Sequence, residues 1–487
     1  MATPETLIAC FQPVSPRTMH RWTPKLDDLE PQIKVIVDAL TALCISKPGD
    51  VAAVALETHA QSTCTIYIAA SDMDNSLESH FQILWDCLRR VALSTGGASP
   101  SLDSPAIDVG VEVYNFVWTA FYDRFSKNAE SFVTDFISQV TDPMFGAKIS
   151  EEERRDLQTA ENLFDTLRKI VTRTKPAIAD MKKIVATLSL LHATLKPYLD
   201  FLPPNALVRR CCDSLEDVST TFVWLYLDDV LDLQPPIEVL LDTARSAITR
   251  SWFTQSLRVI QVPNAHLPFE VDLHDDAVLS LWKEHKGVER PRADLDAQWD
   301  RRIIDPILDM VDSSKRENVS IVSTGGRVIL SASVRPHSVC ALVAYLANSA
   351  DASPFSYIGL SCNHPCYACY MFLSAYNQSN PRVPFYTLGP KSKFFIPFAF
   401  PAFSDHDFND MVRRRLGTVV EEDLWMAWDE CLAEWYEYGR WIDDAGTDDD
   451  AGTDDDAGTD DDAGTDDDAG TDDDAGADDS ETNSPSA

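Results

Sequence analysis

The strongest constraint on how this chain can fold lies between residues 318 and 378, where the pattern of apolar residues switches repeatedly between a period of two and a helical period. Residues 318–323 (NVSIVS) and 327–334 (RVILSASV) read as strands, and Gly325-Gly326 between them fits a tight hairpin turn. A helix is expected from about His337 (HSVCALVAYLANSA), a third strand over 355–361 (FSYIGLS), and a second helix from the pair in CYACYMFLSAYN. Residues 384–388 (PFYTL) suggest a fourth strand, followed by the aromatic run FFIPFAFPAF. A strand–turn–strand–helix–strand–helix order places both helix starts at one end of a sheet, where ligands bind in α/β layers.

Those helix starts carry the chemistry. His337 opens the first, and Cys366 and Cys369 open the second, with Pro365 directly before them and 29 residues separating His337 from Cys366. Two cysteines three apart sit on nearly the same face of a first helical turn and can reach one ion. A helix N-terminus also favours the thiolate form that metals require. Zinc takes thiolate and imidazole ligands tetrahedrally and, in catalytic sites, leaves the fourth position to water. A CxxC alone also fits a thioredoxin-like redox pair or a degenerate site of buried thiols. Cys362 and His364 lie close by and open a different ligand arrangement.

Zinc deaminases of nucleobases carry H-x-E followed by P-C-x-x-C. Four pieces resemble the cytidine-deaminase-like superfamily, and within it the OTT-type deaminase family common in fungi. They are His337-Ser338-Val339, the strand Tyr357-Ile358-Gly359-Leu360-Ser361, Cys366-Tyr367-Ala368-Cys369, and Phe385-Tyr386-Thr387-Leu388-Gly389. The resemblance implies zinc held by His337, Cys366 and Cys369, a three-layer domain with a mixed sheet between flanking helices, and a nucleotide or single-stranded nucleic acid as partner. The family's proton-shuttling Glu falls on Val339. Valine neither donates nor accepts a proton, and losing general acid–base help costs roughly 10²–10⁴ in rate. Ser338 through Ala350 contains no acidic residue. A base from elsewhere would have to come from residues such as Glu421, Glu422, Asp405 or Asp407. The expectation is therefore a deaminase-like zinc protein without turnover. The alternatives are an active deaminase with an unrecognised base, and an interaction protein using its helical region and tail.

The rest of the chain divides by pattern. Residues 1–145 are expected to form an N-terminal α/β or α+β region: a helix within 24–46, short strands at 51–56 and 63–70, and a helix over 75–95. Residues 96–107 read as a loop. Residues 150–250 are expected to be helical. Leu157, Ala160, Phe164, Leu167 and Val171, then Ile178, Met181, Val185, Leu188 and Leu191 recur at helical steps on either side of Pro176. The basic residues there (Arg154, Arg155, Arg168, Lys169, Arg173, Lys175, Lys182, Lys183) read as a solvated face rather than a binding patch. Residues 251–442 are the expected zinc domain. They close with a helix over roughly 419–441, whose Leu424, Trp428, Leu432 and Trp435 share an apolar stripe.

Residues 443–487 hold 19 Asp and 1 Glu with no Lys or Arg, and AGTDDD repeats five times from Ala445 to Asp474. Such a segment cannot bury enough surface to offset its chain entropy and is expected to be a disordered acidic tail that can contact basic proteins. It accounts for 20 of the 37 net negative charges. Residues 251–442 carry 18 basic and 24 acidic side chains, so no basic field advertises general nucleic-acid binding. Eleven cysteines are scattered without a dense framework, Cys211-Cys212 among them as core packing, which suits a reducing compartment. The opening residues lack the pattern of a secretory signal and no window reaches 18 uninterrupted apolar residues, so an intracellular location, cytoplasmic or nuclear, with no membrane span is expected. Oligomeric state is left open.

Overall fold

Strand β1 (Ala52–Thr58) explains the architecture, because its two faces are buried in two different cores. Ala52, Val54 and Leu56 enter one and Ala53 and Ala55 the other. Strand β2 (Thr63–Ala70) divides the same way, with Cys64, Ile66, Ile68 and Ala70 on one side and Tyr67 and Ala69 on the other. Strands covered on both faces read as continuous apolar runs, as AAVAL and TIYIAA do. The structure, a computed structural model, describes residues 3–11, 31–47, 50–59, 63–71, 76–94, 104–142, 149–198, 226–281 apart from 228, 275 and 277, 299–308, 319–324, 327–361, 365–388 and 398–444. Cys211, Cys212, Gly325, Gly326, Cys362, His364 and the acidic repeat lie outside the described residues, as do the side chains of Trp428, Leu432 and Trp435.

In chain order the principal elements begin with α1 (Pro4–Phe11), α2 (Pro31–Ala42), β1, β2, α3 (Ser76–Leu93) and α4 (Pro105–Ser131). Then come α5 (Glu151–Ile170), α6 (Ile178–Leu195), α7 (Gln234–Arg245), β3 (Ser256–Gln261) and β4 (Leu267–Asp272). The last are β5 (Val319–Thr324), β6 (Arg327–Val334), α8 (Ser338–Asn348), β7 (Ile358–Leu360), α9 (Tyr367–Gln378) and α10 (His406–Asp444). The described residues thus form a mixed α/β structure, mostly helical, with two small sheets.

The larger sheet has the order β3-β2-β1-β7. β1 pairs antiparallel with β2 and with β7, and β2 pairs parallel with β3. The core on one side of the sheet is built with α2, α3, α4, α5, α6 and α7, and the core on the other side with α1, α8, α9 and the first part of α10. α2 lies unusually close to β7. A Cβ at Gly359 would sit 2.4 Å from Thr41 Oγ1 and 2.9 Å from the Val37 carbonyl oxygen. The helices expected on either side of Pro176 are present as α5 and α6, and α5 starts with a capping box between Ser150 and Glu153.

Several expectations need correction. Strands β5 and β6 pair antiparallel as read, but they do not join the strand that follows. They lie with β4 in a separate antiparallel sheet of order β4-β6-β5. The sheet beneath the helix starts therefore takes β1 and β2 from the first 145 residues and is not confined to the C-terminal half. Apolar alternation reports which face of a strand is buried, not which strand it pairs with, so the pairing of β7 with β1 leaves no local mark. Residues 384–388 contribute only a parallel bridge, Tyr357 with Tyr386, rather than a full strand. The closing helix starts at His406, not near 419, and Val412, Leu416, Val420 and Leu424 form its buried stripe. Among the described residues no helix is long and apolar enough to cross a membrane.

Candidate metal centre

The approach to α8 is fixed to the start of β1 by hydrogen bonds before any ligand is considered. Arg335 donates through Nη1 to the Ser71 carbonyl, Asn264 Nδ2 donates to the Pro336 carbonyl at 2.9 Å, and Ser338 Oγ donates to the Val51 carbonyl at 2.9 Å. On the far side of β1, Ser361 Oγ accepts from the Ala52 amide at 2.9 Å and anchors the end of β7. Ser338 and Ser361 thus hold the start of α8 and the end of β7 to the same end of β1.

His337 is the N-cap of α8 and Cys366 the N-cap of α9. Cys369 stands three residues into α9, and its amide donates to the Cys366 sulfur at 3.5 Å. The three expected ligands meet. His337 Nδ1 is 3.2 Å from Cys366 Sγ and 3.1 Å from Cys369 Sγ, and the two sulfurs are 3.3 Å apart. Both cysteines are buried and unbridged, and His337 is half-buried with its ring edge-on to Phe398. One imidazole nitrogen and two sulfurs packed this closely can hold a metal ion.

The electrostatics fit that role. The Cys366 thiol is held well below its ordinary range by its hydrogen bond with the Cys369 thiol, with His337 and the Cys369 amide adding to the effect against burial. Burial pushes the Cys369 thiol well above that range, and the neighbouring Cys340 and Cys366 sulfurs push the same way.

No such convergence exists for the acids suggested as a replacement base. Asp405 is exposed at the start of α10, where it accepts from the Phe408 amide. Asp407 and Glu422 are exposed, and Glu421 is half-buried on the same helix. Among the described residues the one buried carboxylate is Glu57, 2% exposed, which accepts from Tyr67 Oη at 2.5 Å and from the Ser353 amide at 2.9 Å. It sits at the opposite end of β1, about 17 Å from the strand's start at a strand's rise per residue. Val339 is 2% exposed and packs in the core between sheet and helices.

Two residues went unremarked in the sequence. Asp423 accepts from Tyr367 Oη at 2.6 Å and ties α10 to the turn that presents Cys366. Nothing in its local pattern distinguishes it from a solvent-facing acid. Cys340 is the other, its Sγ 3.8 Å from Cys369 Sγ. Its signal is legible, because His337-x-x-Cys340 repeats the spacing of Cys366-x-x-Cys369.

The basic residues of α5 and α6 behave as a solvated face. Arg168 reaches Glu130 and Asp165, Lys182 reaches Asp108, and Lys183 reaches Asp180. No protein-family model matches the chain, and no curated protein or solved structure shows significant similarity to it.

Proposed function

We propose that this is a deaminase-like zinc protein that holds its ion without turning over a substrate. The observation that carries the reading is the convergence of His337 Nδ1, Cys366 Sγ and Cys369 Sγ, 3.1–3.3 Å apart, at two adjacent helix starts. A borderline-soft ion with tetrahedral geometry suits two thiolates and an imidazole, which favours zinc over magnesium or calcium. Tetrahedral zinc spreads such donors to about 3.5–3.8 Å, so the trio needs to open by only a few tenths of an ångström. Layers of helices on both faces of a mixed sheet, with the His and the Cys pair at the starts of consecutive helices, support the resemblance to the cytidine-deaminase-like superfamily.

When bound, zinc supplies a Lewis acid that lowers the pKa of a water toward about 7. The rest of a deamination needs a group that moves the proton, and Val339 cannot. Glu57 is engaged at the far end of β1, Asp405 accepts from the Phe408 amide, and Asp407 and Glu422 are exposed. That combination supports a binding or structural role for the ion rather than a catalytic one.

Elemental analysis of the purified full-length chain tests the zinc reading. About one zinc per folded chain is expected for the wild type, falling well below half in His337→Ala and Cys366→Ala. A folded wild-type sample without metal overturns it.

A further inference from the structure

We propose that Cys340 is a fourth ligand of this centre, so that the ion is held by one imidazole and three thiolates and keeps no position open for water. The inference deepens the zinc reading and rests on it.

The geometry of the two helix starts carries the argument. Cys366 and Cys369 occupy the N-cap and the third position of α9. His337 and Cys340 occupy the same two positions of α8. Side chains at an N-cap and three residues on converge over the first turn, the relation a capping box exploits. If the α9 pair can face one ion, the α8 pair can face it from the other side. Cys340 is 0% exposed, and its sulfur already touches a sulfur of the trio, 3.8 Å from Cys369 Sγ. That separation equals the edge of a zinc–thiolate tetrahedron, about 3.8 Å for zinc–sulfur bonds of about 2.3 Å.

A buried cysteine is ordinarily a small apolar residue. Cys340 differs in sitting against a ligand sulfur and in sharing a helix start with a ligand histidine. Its sulfur lies outside the group of donors within 4.8 Å of one another, which comprises His337, Cys366 and Cys369. Joining the ion therefore takes a turn about its Cα–Cβ bond, which moves the sulfur without moving the helix.

The closed set also accounts for Val339. Four protein ligands make a structural site, and three plus water make a catalytic one. An ion with no water has no use for a neighbouring carboxylate. An apolar side chain at 339 then belongs to the packing of α8 against the sheet.

X-ray absorption at the zinc edge of the full-length chain reads the ligand set directly. The proposal expects three sulfurs and one nitrogen in the wild type, and two sulfurs with two light atoms in Cys340→Ala. Zinc affinity, by competition with a chromophoric chelator, should fall at least about tenfold in Cys340→Ala, since losing a ligand costs no less than losing one of its outer partners. A wild-type spectrum of two sulfurs and two light atoms overturns the fourth ligand and leaves the zinc reading standing. A folded wild type that holds no zinc overturns both. The wild-type spectrum decides the matter even if the variant fails to fold.

Discussion

On the proposed reading, position 339 is where a deaminase would carry its proton-shuttling glutamate; Val339 is part of a core, 2% exposed beside Cys340 and Leu342. Val339→Glu should therefore lower unfolding stability by on the order of 3 kcal/mol, the cost of a carboxylate buried without a partner. Urea unfolding at neutral pH measures it. A loss below about 0.5 kcal/mol, ordinary for a surface change, would mean that the side chain faces open space. Asp38 gives a second test at this scale. Burial raises its carboxyl above the ordinary range, although Tyr357 Oη donates to it at 2.7 Å and Lys34 lies near. A raised folded pKa contributes stability that is full below the unfolded value and is lost as pH rises through the folded one. Asp38→Asn keeps an acceptor for Tyr357 and removes that loss. Its stability relative to wild type should rise between about pH 4, near the ordinary carboxylate pKa, and neutrality, and the gain should vanish in acid. Unfolding midpoints across that range check the sign.

At the level of elements, what was legible was what is local. The strand patterns of β5 and β6, the apolar runs of β1 and β2, and the interrupted helical period around Pro176 all correspond to elements of the structure. The residues His337, Cys366 and Cys369 singled out by spacing do meet in the structure, and an i, i+3 pair shares a face wherever its helix lies. Strand partners were not legible. β7 pairs with β1 across some three hundred residues, and nothing in Ile358-Gly359-Leu360 names Ala53, Val54 and Ala55 as its neighbours. Gly359 is the exception, since an apolar strand takes a glycine where another backbone comes close. Gly359→Ala should cost about 1–3 kcal/mol, because the added carbon meets the backbone carbonyl of Val37 as well as the Thr41 hydroxyl. Ser150→Ala, which removes the cap of α5, should cost about 1 kcal/mol. Thermal or urea unfolding distinguishes the two, and a neutral Gly359→Ala would mean that α2 can back away from the sheet.

For the whole molecule, the ion would tie together segments far apart in sequence. α8 and α9 rest on strands from the first 70 residues, and Tyr367 links the site to Asp423 on α10. A ligand that binds only the folded chain stabilises it in proportion to the logarithm of its concentration over Kd, about 2.7 kcal/mol at a hundredfold excess. Removing zinc with a chelator should therefore lower the unfolding midpoint of the wild type and leave that of His337→Ala unmoved. Truncation after Asp444 should leave the midpoint unchanged while removing 17 Asp and 1 Glu from the net charge of −37. The central claim is a metal centre without turnover. The most direct test is ammonia release from nucleosides, nucleotides and single-stranded oligonucleotides by full-length protein whose zinc content is measured in the same sample. The account predicts about one zinc per chain and no ammonia above the blank. Turnover in that sample that disappears in Cys366→Ala would contradict it.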